Sequence, residues 1–313
     1  MAPEIEIHPI TDACYRDERP TLLNASEIGS LFGHGHKTLA HVTAMKRGLI
    51  EPGTDDPDSP LLERGRDFEE VAAKRVQRLR PTWKIERNTN HYVDRLNRIA
   101  AIPDYLATDP EREGVGCLEI KTVAEPNHKK EWLEGTPPLK YVLQLATQMM
   151  LVPNCTWGAI GQLIIGNFTY MMNIYTVDKR DHGAEMRLRT AAAKFWQAFD
   201  AGDQPVIDFE KDGDLIALLF PNEVPGKVVD LSTDNIIQDL LQRREHLKAM
   251  QAEFKDKLEA TETEIKAKLG DAEVALVPGW RISFKTQHRK GYPVAPSSFR
   301  VLRTSRHEQD HAT

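Results

Sequence analysis

The sequence has few of the features that mark secreted or membrane proteins. No run of eighteen or more apolar residues occurs among its 313 residues, so no membrane span is expected. The first twenty residues are acidic and lack an apolar centre, so no signal peptide is expected. Cys14, Cys117 and Cys155 are too few for a disulfide scaffold or a four-cysteine iron–sulfur cluster. We therefore expect a cytoplasmic protein with reduced thiols.

The charge balance argues against a protein that simply coats DNA. The net charge is −6, whereas such proteins are basic. An enzyme with a basic channel and an acidic exterior remains compatible, because the local field guides a charged substrate. The hydrophobic content of 40% is enough for a large core, and the length allows one large domain or a domain with an appendage.

The most informative stretch is Cys117–Thr122, whose apolar and charged residues alternate. This period of two predicts a half-buried strand. Glu119 and Lys121 leave the same face of that strand, roughly 6.5 Å apart by strand rise. An acid and an amine are thus expected to face one site.

Asp104 precedes Glu119 by fifteen positions, with a polar turn at 109–114 between them. An antiparallel hairpin would bring Asp104 beside Glu119. Two carboxylates on neighbouring strands suit Mg²⁺ or Mn²⁺. The plainer interpretation is a solvated Glu–Lys pair, worth under about 1 kcal/mol, and from these residues alone the two are about even.

The flanking segments resemble a known nuclease family. "IPDYL" (102–106) followed by "CLEIKT" (117–122) is similar to the signature of the PD-(D/E)XK nuclease superfamily. Three further segments resemble the branch with lambda exonuclease and the YqaJ-type viral recombination nucleases, in the same order. They are "ERPTLLNASEIGSLFG" (18–33), "ERGRDFEEVAAKRV" (63–76) and "WLEGTPPLKYVLQLATQMMLV" (132–152). The resemblance covers roughly residues 18–180.

The resemblance implies an α+β (α/β/α) fold, a restriction-endonuclease-like core with a central mixed sheet flanked by helices. It implies a Mg²⁺-dependent DNA exonuclease with two ions per site, Mn²⁺ substituting, that digests linear duplex DNA 5′→3′. The product would be a 3′ overhang for a single-strand annealing protein. A ring-shaped homotrimer around the DNA, and a phage or prophage origin, are further implications.

The resemblance also assigns roles to residues. Asp104, Glu119 and the carbonyl of Ile120 would hold one metal ion, and Glu69 would complete the site of a second. Lys121 would orient or help deprotonate the attacking water. Gln144 would face the active site.

Three residues are assigned to DNA, with plainer alternatives left open. By the resemblance, Arg19 and Ser26 would bind the 5′-phosphate, which agrees with a guanidinium beside a helix N-terminus that Asn24 or Ser26 caps. A surface arginine and a capping serine are equally compatible with the residues. Gln148 is assigned to DNA, although Gln144 and Gln148, one turn apart, could also be polar residues at the rim of the core.

Two departures from the family bear on the function. Tyr105 stands where a glycine is frequent, and Thr122-Val123 replaces Cys-Pro; neither removes a ligand. The alternative functions are a restriction-like or structure-specific endonuclease of the same superfamily and a non-catalytic DNA-binding protein.

The sequence predicts a nuclease domain over 1–203, a connector over 204–232 and a C-terminal region over 233–313. Within the first, hydrophobic periodicity and turn residues predict the following elements. Helices are expected near 24–32 and at 38–50, 61–79, 127–134, 139–152 and 181–202. Strands are expected at 83–88, 91–93, 98–108, 116–123, 157–165 and 169–177, those up to 123 forming a meander, and residues 1–20 are expected to be irregular.

The C-terminal region is predicted to contain one long helix over 233–269 and a hairpin near 272–285. A narrow apolar stripe on the helix would pack either on the nuclease domain, the favoured interpretation, or on a partner helix. Residues 281–306 contain basic and aromatic side chains without acids, a composition typical of either a nucleic-acid surface or a solvated tail.

Overall fold

The computed structural model describes residues 4–11, 17–50, 60–132, 135–167 and 169–288. The chain divides into two compact units, residues 1–220 and 221–313. Within the described residues no helix is long and apolar enough to cross a membrane.

The described residues contain seven α-helices, one 3-10 helix and eleven strands. The helices are α1 (Leu39–Lys46), α2 (Pro60–Leu79), α3 (Glu125–Glu131), α4 (Leu139–Leu151), α5 (His182–Asp200), α6 (Gly213–Leu219) and α7 (Asn235–Leu269), and the 3-10 helix is Ile28–Phe32. The strands are β1 (Glu6–Pro9), β2 (Leu23–Asn24), β3 (Lys84–Arg87), β4 (Asn90–Asp94), β5 (Ile99–Ala101), β6 (Tyr105–Thr108), β7 (Val115–Ala124), β8 (Cys155–Ile165), β9 (Tyr170–Val177), β10 (Val274–Val277) and β11 (Trp280–Ser283).

A five-stranded mixed sheet, of order β3-β6-β7-β8-β9, forms the centre of the first unit. β7 is antiparallel to β6 and parallel to β8. The parallel pair needs a crossover, which α3 and α4 provide. β9 returns antiparallel to β8, as the turn residues near 166 predict.

Helices cover both faces of this sheet. Cys117, Leu145 and Ile160 belong to a core on the face covered by α4 and α5. Leu118 and Val76 belong to a second core under α2, on the opposite face. The predicted α+β class, a mixed sheet flanked by helices, is confirmed by this arrangement. β7 is more buried than the predicted half-buried strand, because helices pack on both of its faces.

The predicted meander is wrong. β3 pairs with β6, although β4 and β5 lie between them in sequence. β4 and β5 belong instead to a separate four-stranded sheet of order β1-β4-β5-β2. β1 also corrects the expectation that residues 1–20 are irregular. Alternation of residues indicates a strand but not its partner, so the pairing could not be read from the sequence.

The predicted capped helix near Asn24 is also different in the structure. A 3-10 helix of five residues begins after Glu27, and no side chain caps it. The Glu27 carboxylate instead accepts hydrogen bonds from the backbone and side-chain amides of Asn24. The prediction that Asn24 or Ser26 caps a helix is therefore wrong.

Part of the predicted connector is helical. Within residues 204–232, α6 is ordered by Asp212, whose carboxylate accepts hydrogen bonds from the Thr38 hydroxyl and the backbone N–H of Asp208. Leu215 is buried in the core of the first unit. The connector sequence therefore contributes to that unit.

In the second unit, the predicted long helix and hairpin are confirmed. The side chain of Asp234 accepts hydrogen bonds from the first backbone amides of α7, which fixes its start. β10 and β11 pair antiparallel. The basic and aromatic residues predicted beyond 288 lie outside the described residues. They are Arg289, Lys290, Tyr292, Phe299, Arg300, Arg303 and Arg306.

Candidate active site

The hairpin of β6 and β7 brings two acidic residues together. Tyr105 pairs with Leu118 across the hairpin, so Asp104 lies beside Glu119 at the end of β6. Oδ2 of Asp104 accepts the backbone N–H of Ile120 over 2.7 Å, which fixes the carboxylate against β7. The predicted juxtaposition of Asp104 and Glu119 is confirmed by this register.

Glu119 is almost fully buried, with 2% of its surface exposed. Its Oε1 accepts hydrogen bonds from Nζ of Lys121 at 2.5 Å and from Nε2 of Gln144 at 2.6 Å. Its Oε2 accepts Nε2 of Gln148 at 2.6 Å. The two glutamines reach one carboxylate because they lie one turn apart on the face of α4 that packs on β7. Glu119 is thus a fixed and buried carboxylate rather than half of a solvated pair.

Lys121 is held between its carboxylate partner and an aromatic ring. Its ammonium lies 5.0 Å from the ring centroid of Tyr141, on α4, a cation–π contact. Burial lowers the pKa of Lys121, but Glu119 and Asp104 outweigh burial and raise that pKa above its usual range. Lys121 is therefore a positioned cation beside the two acids.

Asp104 differs from an ordinary surface aspartate. Burial, and then the neighbouring charge of Glu119, raise the pKa of Asp104 well above its usual range. Lys121 and the amide of Ile120 oppose this rise without cancelling it. When two acids repel each other in a poorly solvated site, any added positive charge stabilises their ionised forms.

Of the two glutamates in the middle of α2, Glu69 is the one directed to the site. Oε1 of Glu69 lies 3.0 Å from Nη2 of Arg87, at the end of β3. Partial burial raises the pKa of Glu69; Arg87 lowers it, and Glu119 raises it further. Glu70 instead forms an exposed pair with Lys74 at the next helical turn. The distinction made from the sequence agrees with this placement.

The donor types of this cluster suit a hard divalent cation. Carboxylate oxygens and backbone carbonyls, such as that of Ile120, are ligands that Mg²⁺ and Mn²⁺ accept. Asp104 and Glu119 repel each other when both are charged, and a bound divalent cation would neutralise that negative charge. Within the described part of the chain, no three His, Cys, Asp or Glu side chains form a ready ligand group. Asp104 and Glu119 therefore fit a divalent cation by charge and donor type. To bind it, Glu119 would give up one of the hydrogen bonds that its carboxylate now accepts.

Part of the chain matches a known protein family. Residues 15–154 match the family profile described as a YqaJ-like viral recombinase domain. The resemblance to the YqaJ-type family is confirmed. The matched region, termed here the YqaJ-like region, contains every residue assigned to the site from the sequence.

Two solved structures are similar to the chain. The alkaline exonuclease LHK-Exo from Laribacter hongkongensis is 18% identical, and the match covers 61% of this chain and 94% of that chain with a TM-score of 0.47. LHK-Exo in complex with dAMP is 19% identical, with 59% and 90% covered and a TM-score of 0.44. A search of curated protein sequences gives no match.

Arg19 and Ser26 lie in another part of the YqaJ-like region. Nε of Arg19 is 3.5 Å from Oε1 of Glu27, and Ser26 is exposed. Lys46 of α1, whose side chain is buried, donates to Oε2 of Glu27 at 2.6 Å and to the backbone carbonyl of Arg19 at 2.7 Å. Burial lowers the pKa of Lys46, although Glu27 opposes this. The hydrogen bonds of Arg19 are thus made with Glu27 and Lys46, not with the cluster around Glu119.

Gln148 occupies a different place from the one its assignment to DNA requires. The side chain is fully buried, and its Oε1 has no hydrogen-bond partner among the described residues. Its contact with the site is the hydrogen bond to Glu119. In this geometry Gln148 acts on the carboxylate rather than on a nucleic acid.

One polar network was missed from the sequence. Gln162 of β8, in register with Lys121, is completely buried. Its Oε1 accepts Nδ2 of Asn173 and the hydroxyl of Tyr175, both at 3.1 Å. Its Nε2 lies 2.9 Å from Nδ1 of His128. A polar residue inside an otherwise apolar strand was the available signal, but it does not indicate partners on two other elements, α3 and β9.

Proposed function

We propose that this chain is a metal-dependent DNA exonuclease of phage-type recombination, acting 5′→3′ on linear duplex DNA and leaving 3′ overhangs. The observation that carries the proposal is the buried carboxylate of Glu119. It is held by Lys121, Gln144 and Gln148 beside Asp104. Burying charged groups costs free energy. A chain that only bound DNA would have no chemical reason to keep these groups buried at that cost.

Each residue has a role in phosphodiester hydrolysis. Asp104, Glu119 and the carbonyl of Ile120 would hold one Mg²⁺ or Mn²⁺, and Glu69 would complete the site of a second. Such a pair of ions supplies a nucleophilic water and neutralises the charge of the phosphate and leaving group. The ammonium of Lys121 orients the attacking water by donating a hydrogen bond. Gln144 and Gln148 keep the carboxylate of Glu119 in one rotamer.

Substrate binding would use a separate part of the YqaJ-like region. Arg19, with Ser26 beside it, would hold the 5′-phosphate of the strand being digested, since a guanidinium binds phosphate oxygens well. A ring-shaped homotrimer enclosing the DNA, and a single-strand annealing protein that receives the overhang, complete the proposal.

The test compares two DNA substrates. Linear 5′-phosphorylated duplex and a covalently closed circle are incubated with the protein, each with Mg²⁺ and with EDTA. Loss of the linear DNA only, and only with Mg²⁺, supports the exonuclease. Cleavage of the circle would support the endonuclease alternative, because a circle offers no end. If both DNAs survive with Mg²⁺, the proposal of a nuclease is wrong.

Strand polarity is tested on the same duplex labelled at one end. Digestion from the 5′ end releases a 5′ label at once as a mononucleotide, whereas a 3′ label remains in long products. Early release of the 3′ label would overturn the proposed direction while leaving the nuclease intact.

A further inference from the structure

The guanidinium of Arg87 lies at the edge of the candidate active site. Arg87 is the last residue of β3, and in the sheet it pairs with Tyr105 of β6, the residue after Asp104. The backbone N–H of Asn88 donates to the carbonyl oxygen of Asp104 over 3.1 Å. Strand pairing and this hydrogen bond therefore fix the backbone of Arg87 close to the acidic cluster.

The two members of the ion pair between Arg87 and Glu69 differ in exposure. The side chain of Glu69 is 20% exposed, whereas that of Arg87 is 64% exposed. The guanidinium carbon of Arg87 also lies 5.9 Å from the ring centroid of Tyr105, a cation–π contact. Arg87 therefore contacts one carboxylate oxygen and one ring, while much of its side chain faces solvent.

A divalent cation and Arg87 would compete for the same carboxylate. Burial raises the pKa of Glu69, Arg87 lowers it, and the charge of Glu119 raises it, so the guanidinium and the acidic cluster both act on Glu69. A divalent cation held by Glu69 would repel the guanidinium, because like charges at short range interact strongly in a partly buried site. Arg87 would then be stabilised by a different anion.

We propose that Arg87 is a DNA-binding residue that pairs with Glu69 in the DNA-free protein and with a backbone phosphate once Glu69 binds a divalent cation. This inference rests on the proposed function, in which a phosphate of the cleaved strand lies beside the carboxylates. A guanidinium suits both partners, because its fork of donors binds two oxygens of a carboxylate or of a phosphate. The ring of Tyr105 keeps the guanidinium near the site with either partner.

The first experiment measures DNA affinity in EDTA, by fluorescence anisotropy on linear 5′-phosphorylated duplex. Glu69→Gln breaks the ion pair without a metal ion, so it releases Arg87. We expect Arg87→Met in the wild-type background to change Kd by less than about twofold, because Arg87 is engaged with Glu69. In the Glu69→Gln background the same change should weaken DNA binding by about tenfold, through loss of a charge-assisted contact with phosphate.

Glu70→Gln is the matched control for this cycle. Glu70 is the next residue of α2 and pairs with Lys74, so this change removes the same charge and leaves the Arg87–Glu69 pair intact. Arg87→Met should again have little effect in the Glu70→Gln background. An effect of Arg87→Met that is equal with and without Glu69→Gln overturns the exchange. A large equal effect would make Arg87 a permanent DNA contact, and no effect would make it no contact.

Titration calorimetry of the DNA-free protein with Mn²⁺ tests the competition for Glu69. Arg87→Met should raise the Mn²⁺ affinity by about 2- to 5-fold, because an ion pair of this exposure no longer competes. Lys84→Met is the control, since Lys84 lies at the other end of β3 in an exposed pair with Glu86. That variant should bind Mn²⁺ as the wild type does. Equal Mn²⁺ affinity of the wild type and Arg87→Met overturns the competition.

These readouts separate a failure of the inference from a failure of the proposed function, because neither measures hydrolysis. A wild type that digests linear DNA, with no effect of Arg87→Met in the Glu69→Gln background, overturns the role of Arg87 and leaves the nuclease intact. A wild type that shows both expected effects of Arg87→Met but digests no DNA supports the exchange and overturns the proposed function.

Discussion

Gln148 donates its side-chain amide to Oε2 of Glu119 over 2.6 Å, from a position that solvent does not reach. Gln148→Leu would keep the volume and remove the donor, so the carboxylate would lose its fixed orientation. We expect kcat to fall about 10- to 100-fold, as for other residues that orient a metal ligand. The KM for DNA should stay unchanged, since Gln148 makes no contact at the surface. Steady-state kinetics on linear duplex measures both.

The neighbouring Thr147 is the control for this prediction. It is also fully buried, but its hydroxyl donates to the backbone carbonyl of Leu143 within the same helix. Thr147→Val should leave kcat near the wild-type value. A Gln148→Leu enzyme with normal kcat and a raised KM would show that Gln148 binds DNA after all.

Asp104→Asn should abolish hydrolysis and yet stabilise the metal-free protein at neutral pH. Because the folded-state pKa of Asp104 lies above its unfolded value, the folded state binds more protons between those two pKa values. Wild-type stability therefore falls as pH rises through the unfolded pKa, near 3.9, to the folded pKa. Asparagine keeps the acceptor for the amide of Ile120 and carries no charge. The melting temperature of the variant in EDTA should exceed that of the wild type at pH 7.

The difference should disappear near pH 3, where Asp104 is protonated in both states of the wild type. At pH 7, Mg²⁺ should raise the melting temperature of the wild type more than that of Asp104→Asn, because a ligand of the folded state stabilises by mass action. Equal Mg²⁺ effects on both proteins would contradict the assignment of Asp104 as a metal ligand.

Lys46→Met should weaken recognition of a 5′-phosphate by displacing Arg19. The change leaves Glu27 buried without its ammonium, at a cost of about 3 to 5 kcal/mol in the free energy of unfolding. It also releases the backbone carbonyl of Arg19. We expect the ratio of kcat/KM for 5′-phosphorylated over 5′-hydroxyl duplex to fall towards that of Arg19→Ala.

Loss of stability alone is controlled by Arg180→Met. This change breaks the pair of Arg180 with Glu185, which are 2.6 Å apart and mostly buried. Arg180→Met should destabilise the fold but leave the ratio of kcat/KM for 5′-phosphorylated over 5′-hydroxyl duplex at its wild-type value. If Arg19→Ala lowers the ratio and Lys46→Met does not, Lys46 has no positioning role. A wild type indifferent to the 5′-phosphate would refute the phosphate site itself.

Gly116 should tolerate no side chain. A Cβ at this position in β7 would overlap the ring of Trp157, which is buried in the core under α2. Gly116→Ala is therefore expected to destabilise by about 1 to 3 kcal/mol through overpacking. Gly65, inside α2, has open space around its Cα, so Gly65→Ala should stabilise by about 0.5 to 1 kcal/mol. Urea unfolding curves of the two variants should move in opposite directions.

The centre of the site was predictable because its signals are local. Alternation through Glu119 and Lys121, the polar turn and the position of Asp104 together specify a hairpin and its register. The one-turn spacing of Gln144 and Gln148 placed both amides on one face of a helix. None of these inferences required knowledge of residues distant in sequence.

What could not be predicted depends on long-range pairing. Nothing in β3 indicates that it pairs with β6 rather than with β4, since strand signals do not name a partner. The burial of Gln148 and the network of Gln162 depend on α4 and β9 packing against β7 and β8. The buried Lys46 reads in the sequence as an ordinary helical lysine, because its acceptors lie in the segment from Arg19 to Glu27.

β7 pairs antiparallel with β6 on one side and parallel with β8 on the other, which affects the order in which the chain folds. β6 and β7 are joined by a short turn, so their contacts close early, whereas the parallel pairing of β7 with β8 waits for a whole crossover. Asp104 and Glu119 are therefore expected to meet first, in water, where their repulsion is weak. Docking of α4 then removes the water and delivers both amides to Glu119 in the same step. The free-energy cost of burying the two carboxylates therefore arises only in this late step, in which the amide donors to Glu119 also arrive.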